Sequence, residues 1–246
     1  MGGLSKQIGQ CSSLRRIALY TVGMSWTGQD RRVIIGISGA SGAPYAVRTI
    51  ELLAQREIEV HVTASSLGRR LLFEECGISD VTAAALAGCG DPSRIVLHSG
   101  RDMGAVIASG SFQHDGMVIV PCSSNTLGAI AAGMTNTLLQ RAAAVTLKEG
   151  RPLLLAHRET PLSRIDISNM DRLAGAGAAI VPLSPGFYMQ PQTIGDLVDF
   201  MAGRILDRLG VEHDLPVRWE DSMGCGQPGV SSTSSTVPAG GSRSST

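Results

Sequence analysis

The chain has 246 residues, and its 21 lysines and arginines are balanced by 21 aspartates and glutamates. That length can bury a full core and suits one domain with tails, while the zero formal charge offers no electrostatic footprint for nucleic acid or an acidic membrane surface. No apolar run reaches the roughly 18 residues that a membrane span requires, and five scattered cysteines without a Cys-x-x-Cys pair indicate neither a disulfide framework nor a zinc site, which points to a reducing cytoplasm.

In chain order, residues 1–30 carry Arg15, Arg16 and a short apolar stretch, Ile17 to Val22, without a signal-peptide core of normal length. They read as a disordered extension, with Met24 as an alternative start. Between 31 and 215, short apolar runs alternate with helix-period segments. Strands are predicted at Val33–Ile37, Glu59–Thr63, Arg94–Leu97, Met117–Pro121, Leu153–Ala156 and Ala178–Val181, several apolar throughout as in strands covered on both faces. Helices are predicted at Ala43–Gln55, Ser65–Cys76, Thr126–Ala132, Leu138–Lys148, Ile167–Gly175 and Thr193–Leu209. Ala43, Ala46, Val47, Ile50 and Leu53 share one stripe of the first, and Ile194, Leu197, Val198, Met201 and Ile205 one stripe of the last. Residues 216–246 are rich in Ser, Gly, Thr and Pro, too polar to offset the entropy of ordering, and read as a disordered tail.

This alternation predicts a single α/β domain: a doubly wound, Rossmann-like or flavodoxin-like parallel sheet in three layers, with ligands beyond the carboxyl ends of its strands. Four loops at those ends carry chemistry. GISGASGA spaces its glycines Gly36-x-x-Gly39-x-x-Gly42, which fails the Gly-x-Gly-x-x-Gly dinucleotide motif. Close-approaching backbone and outward helix-start amides still suit an anion or a flavin phosphate. PCSSNT sets Ser123, Ser124, Asn125 and Thr126 at a helix start, more hydroxyl and amide groups than capping requires. Cys122 beside them reads as a buried thiol, since no histidine is near in sequence. In LKEGRPLLLAHRETPLS, Lys148 ends a helix, whereas Arg158 and Glu159 directly follow a strand. The proline-rich segment Pro182 to Pro191 presents Phe187 and Tyr188, and Arg204 lies in the final helix. The five histidines form no ligand cluster and no Gly-x-Ser-x-Gly elbow occurs, which disfavours metal chemistry and serine hydrolysis.

Taken together, GASGA (39–43), ASGSF (108–112), PCSSNT (121–126), RAAAVTLKE (141–149), RETPL (158–162) and PGFYMQP with DLVDF (185–200) resemble the flavin prenyltransferase family, the UbiX type that includes the small subunits associated with phenolic acid decarboxylases. The resemblance runs from about Arg32 to Leu215. It implies a metal-independent transfer of a dimethylallyl group from dimethylallyl monophosphate to nitrogen 5 and carbon 6 of reduced FMN. The product, prenylated FMN, is the cofactor of UbiD-type decarboxylases. By match to the family's motifs, Gly39, Ala40, Ser41, Ser65, Ser123, Ser124, Asn125, Thr126, Arg141 and Arg158 would hold the flavin. Lys148, Arg158, Tyr188 and Arg204 would hold the prenyl phosphate. Ser41, Glu75, Glu159 and Lys148 would act in catalysis, with Glu74 a rival to Glu75 for the proton role. Relatives assemble as dodecamers with sites between subunits, so a homo-oligomer is implied. Met103 stands where some relatives have an aromatic residue, and RAAAV has alanine where many have aspartate.

Two other readings share the fold. PCSSNT approaches the Pro-Ala-Ser-Ala-Asn-Thr motif of FMN-dependent cysteine decarboxylases, but their Met-Asn-x-x-Met-Trp substrate clamp is missing. A non-catalytic flavin-binding or delivery subunit would have no use for Lys148, Arg158, Glu159, Tyr188 and Arg204 together.

Overall fold

The computed structural model describes residues 31–215; the two predicted extensions, 1–30 and 216–246, lie outside the described residues. Six strands form one parallel sheet: β1 (Arg32–Ile37), β2 (Glu59–Ala64), β3 (Ile95–His98), β4 (Gly116–Cys122), β5 (Leu153–His157) and β6 (Ala179–Ile180), in the order β3-β2-β1-β4-β5-β6. That order reverses direction between β1 and β4, the switch point at which doubly wound sheets open a crevice beyond their carboxyl ends.

Among the described residues seven α-helices flank the sheet: α1 (Ala43–Gln55), α2 (Ser66–Cys76), α3 (Ala83–Ala87), α4 (Ser124–Ala131), α5 (Leu138–Lys148), α6 (Arg164–Gly175) and α7 (Ile194–Leu209). Side-chain alternation along the strands divides the core in two. Val33, Ile35, Ile37, Val118 and Val120 pack with Ala46, Ile50 and Leu53 of α1 and Ile205 and Leu206 of α7. Ile34, Met117, Ile119, Leu153 and Leu155 face Leu127 and Ile130 of α4, Leu139 and Ala142 of α5, and Leu173 of α6. Each fully buried Val, Ile, Leu or Met side chain among these contributes about 1.5–3 kcal/mol over its exposed state. The consequence for function is that α1 and α7 cover one face of the sheet and α4, α5 and α6 the other.

Most predicted elements are present, and the differences sit at their ends. Ser65 and Thr193 are N-caps rather than helical residues, their side chains accepting from Gly68 N and Asp196 N. Helix α6 begins three residues earlier than predicted, because Ser163 and Asp166 form a capping box that starts it at Arg164. Likewise α4 begins at Ser124, since its cap is Ser123. Arg94 belongs to a short 3-10 turn before β3, β6 shortens to Ala179–Ile180, and α3 has no predicted counterpart because four alanines and one leucine carry no readable period. The predicted stripe on α7 shifts toward its carboxyl half. Met201, Ala202, Ile205, Leu206 and Leu209 are buried, whereas Ile194 is 80% exposed.

Candidate active site

The site is built where β1 and β4 part. Ser38, fully buried, locks the two loops together: its backbone N–H donates to Pro121 O (3.2 Å) and its hydroxyl donates to the same carbonyl (2.8 Å) and accepts from Ser123 N (2.8 Å). Here the β4–β5 ladder slips in register, between Ile119 and Cys122, where Pro121 can donate no hydrogen bond. Loop 38–42 is also pressed onto the first turn of α2. A Cβ at Gly39 would come within 2.5 Å of Leu67 Cβ, so only glycine allows this approach.

The amides that begin α1 are not open to a ligand, contrary to the expectation for an anion at that helix start. Gly42 N and Ala43 N both donate to Glu75 Oε2, at 2.8 Å each, so the carboxylate from α2 caps α1 where Gly42, at φ 122°, has no side chain to do so. Glu74, the rival, pairs instead with Arg70 on the surface (2.7 Å). The amides left for a ligand are those of Gly39, Ala40 and Ser41, which have no hydrogen-bond partner among the described residues. Ser41 is exposed, and its carbonyl accepts from Arg158 Nε (3.2 Å), which brings the loop after β5 to the opening loop.

In PCSSNT the four polar residues divide into two pairs. Ser123 Oγ accepts from Thr126 N (3.3 Å) and donates to Thr126 Oγ1 (3.1 Å), so this pair is consumed by the cap of α4. Ser124 and Asn125 face outward into a cavity of about 550 Å3, lined also by Gln140, Ser163, Asp166 and Asn169. Ser124 Oγ lies 3.1 Å from His157 Nε2 and 3.5 Å from Glu159 Oε2. Hydrogen bonds from the Ser163 hydroxyl and backbone N–H hold the Asp166 carboxyl down at about 2. His157 is buried and its basicity is lowered by desolvation. Sequence spacing had left this histidine isolated; the fold brings it to Ser124, 33 positions away. The buried Cys122 thiol is pushed up to about 12 by desolvation, which removes it as a nucleophile at neutral pH.

Comparison with known proteins supplies the deciding observation. The Flavoprotein family model matches residues 25–206. Over 189 residues the chain is 42% identical to the protein named flavin prenyltransferase UbiX of Halalkalibacterium halodurans, covering 75% of this chain and 91% of that one.

The chain belongs to the flavin prenyltransferase family.

A mitochondrial flavin prenyltransferase of Saccharomyces cerevisiae is 42% identical over 192 residues, covering 78% of this chain and 76% of its own. Among solved structures, AnUbiX in complex with FMN and dimethylallyl pyrophosphate superposes with a TM-score of 0.68 at 37% identity, over 74% of this chain and 94% of that one. A dodecameric FMN-dependent UbiX-like decarboxylase from Escherichia coli O157:H7 gives 0.69 at 40%, over 76% and 98%.

Seen as a flavin prenyltransferase, the chain gathers part of the predicted set and divides the rest. Gly39, Ala40, Ser41, Ser124, Asn125, Arg158 and Glu159 meet at the switch point, with Glu75 fastening the opening loop from beneath. Ser65 stands at the end of the neighbouring strand β2; its Oγ accepts from Gly68 N (2.9 Å), which leaves its proton to donate. Arg141 and Lys148 are seven residues apart on α5, hence on one helix face. Arg141 Nε donates to Ala108 O (3.1 Å), and Lys148, at the far end of the helix, pairs with Glu149 (3.2 Å). Tyr188 stacks edge-on against Phe200 of α7 (5.6 Å), one turn before Arg204, which pairs with Asp207 (3.0 Å). Lys148 and Arg204 therefore lie on helices that cover opposite faces of the sheet.

The residues at the switch point fit a phosphorylated flavin. Unpartnered amides at 39–41, the Ser41 and Ser65 hydroxyls, the Asn125 amide and the Arg158 guanidinium together match a polyfunctional ring edge and an anionic tail.

Proposed function

We propose that this chain transfers a dimethylallyl group from dimethylallyl monophosphate to FMN in its reduced form, and that the prenylated FMN produced serves a UbiD-type decarboxylase. The single observation that carries this reading is the grouping of Ser41, Ser124, Arg158 and Glu159 at the β1/β4 switch point of a chain over 40% identical to flavin prenyltransferases. The solved relative holding FMN with dimethylallyl pyrophosphate supports both ligands; the preference for monophosphate is our reading.

Reduced FMN, when bound, supplies nucleophilic nitrogen 5 and carbon 6. The allylic C–O bond must break with its electron pair leaving on phosphate. Cations and a phenol hydroxyl stabilise that charge, and Lys148, Arg158, Tyr188 and Arg204 would do so here, providing charge that other transferases take from a metal ion. Atom balance requires protons to be taken from N5–H and C6–H and given to the middle carbon of the five-carbon unit and to phosphate. Glu159, exposed and bonded to Ser124 Oγ and Thr160 N (3.1 Å), would move one of them at its carboxylate. Glu75 has Oε2 engaged by two amides, so its part in proton traffic falls to Oε1 alone, and its principal task is to hold the opening loop.

A division of the phosphate-binding set across the sheet supports a homo-oligomer whose sites are completed by neighbouring copies, in line with the dodecameric relative. Ile165 (73% exposed), Phe187 (73%) and Ile194 (80%) add apolar surface on both faces that such contacts would bury. The free thiols of Cys76, Cys89 and Cys122 suit a reducing cytoplasm, and no helix among the described residues is long and apolar enough to cross a membrane.

Anaerobic incubation with reduced FMN and dimethylallyl monophosphate, followed by mass spectrometry of the released flavin, tests the proposal. A five-carbon increment is expected. Flavin that binds but gains no such mass, with the diphosphate also supplied, would reject it.

A further inference from the structure

His157 is buried, ends β5, and has no part in the chemistry described above. Its Nε2 lies 3.1 Å from Ser124 Oγ, and the same oxygen lies 3.5 Å from Glu159 Oε2. Ser124 Oγ thus faces one carboxylate and one imidazole nitrogen with a single proton of its own. Carboxylates only accept. If the imidazole also accepted, two acceptors would compete for one donor, and one lone pair would be left facing another. The cluster is satisfied when Nε2 carries the proton and donates to Ser124 Oγ, which frees the hydroxyl proton for a carboxylate.

We infer that His157 is a positioning residue for prenyl transfer: its Nε2–H donates to Ser124 Oγ and thereby aims the Ser124 hydroxyl at Glu159, fixing the carboxylate at the site. This rests on the assignment of Glu159 to proton movement in the proposed function. Burial, which disfavours the imidazolium, agrees with a neutral ring.

Two measurements test the inference. In the flavin-free protein, nitrogen-15 NMR of labelled histidine should show His157 with Nε2 protonated and Nδ1 bare, and Ser124→Ala should shift the Nε2 signal most. A bare Nε2 would overturn the inference, whatever the activity. With flavin and dimethylallyl monophosphate, His157→Phe keeps the ring volume and removes the donor. It should lower kcat by on the order of tenfold, less than the hundredfold or more that loss of a general acid or base itself costs, with KM for the monophosphate unchanged. His157→Gln, whose amide nitrogen can stand in for Nε2, should restore most of the loss. Equal kcat in all three proteins, or a loss confined to KM, would reject the positioning role. Should the unmodified chain make no prenylated flavin, the function reading fails, while NMR still decides the direction of the hydrogen bond.

Discussion

Glu75 and Gly42 are 33 residues apart in sequence, and the Glu75 carboxylate nevertheless supplies the helix cap that Gly42 cannot, accepting its amide and that of Ala43 through one oxygen. Removing the carboxylate should therefore act first on the opening loop. Glu75→Ala is expected to cost about 0.5–2 kcal/mol, the range for a lost N-cap, and to weaken FMN binding. Glu75→Gln keeps an acceptor oxygen and should lose much less, with flavin retained. Urea denaturation and flavin titration of the three proteins check this; equal stability of the Ala variant would contradict the capping role.

The close approach of Gly39 to Leu67 predicts a second loss. Gly39→Ala must displace a side chain at its stem, and overpacking of this kind costs about 1–3 kcal/mol. A melting temperature within a degree of the parent protein would show that the loop yields freely.

Mixing tests the division of the site across the sheet. Lys148→Ala and Arg204→Ala should each be deficient in prenyl transfer. Co-expressed, they should recover activity at about a quarter of the sites, by random pairing of copies in a symmetric assembly. If both residues served one site within one chain, no mixture would recover anything. Size-exclusion chromatography of each variant establishes that assembly itself is intact.

Acid should destabilise the protein through its histidines. Burial lowers the basicity of His61, His98 and His157 and takes His114 down to about 4. The unfolded chain, with imidazoles near their ordinary value of about 6.5, binds more protons than the folded one between there and about 4. Stability is then fully present above about 6.5 and declines as pH falls toward 4. Melting temperatures measured across that window should fall with pH, and His114→Phe should flatten the decline. A flat profile in the parent protein would contradict the burial argument.

Asp166 adds a lower limb. Held at about 2 mainly by the Ser163 hydrogen bond, its carboxylate stabilises α6 above the ordinary aspartate value and loses that contribution as pH falls through about 2. Ser163→Ala should move the Asp166 titration upward toward about 3.9 when followed by NMR; an unmoved titration would refute the capping box as its cause.

Local patterns determined a good deal of this protein. Continuous apolar runs such as Val33–Ile37 announced strands covered on both faces, and the stripe Ala43, Ala46, Ile50, Leu53 announced α1, because periodicity records which side meets the core. GASGA, PCSSNT, RETPL and PGFYMQP, in order, indicated the family and placed Ser41, Ser124, Arg158 and Glu159 at strand ends. Within PCSSNT, however, sequence could not say which hydroxyls serve the cap and which face the cavity, since one helical turn decides it. Only the tertiary structure separated Glu75 from Glu74, joined His157 to Ser124, and put Lys148 and Arg204 on opposite faces of the sheet. Those relationships depend on contacts between residues distant in the chain, set by strand order and by which side of the sheet each helix covers, and neither is encoded in a local period.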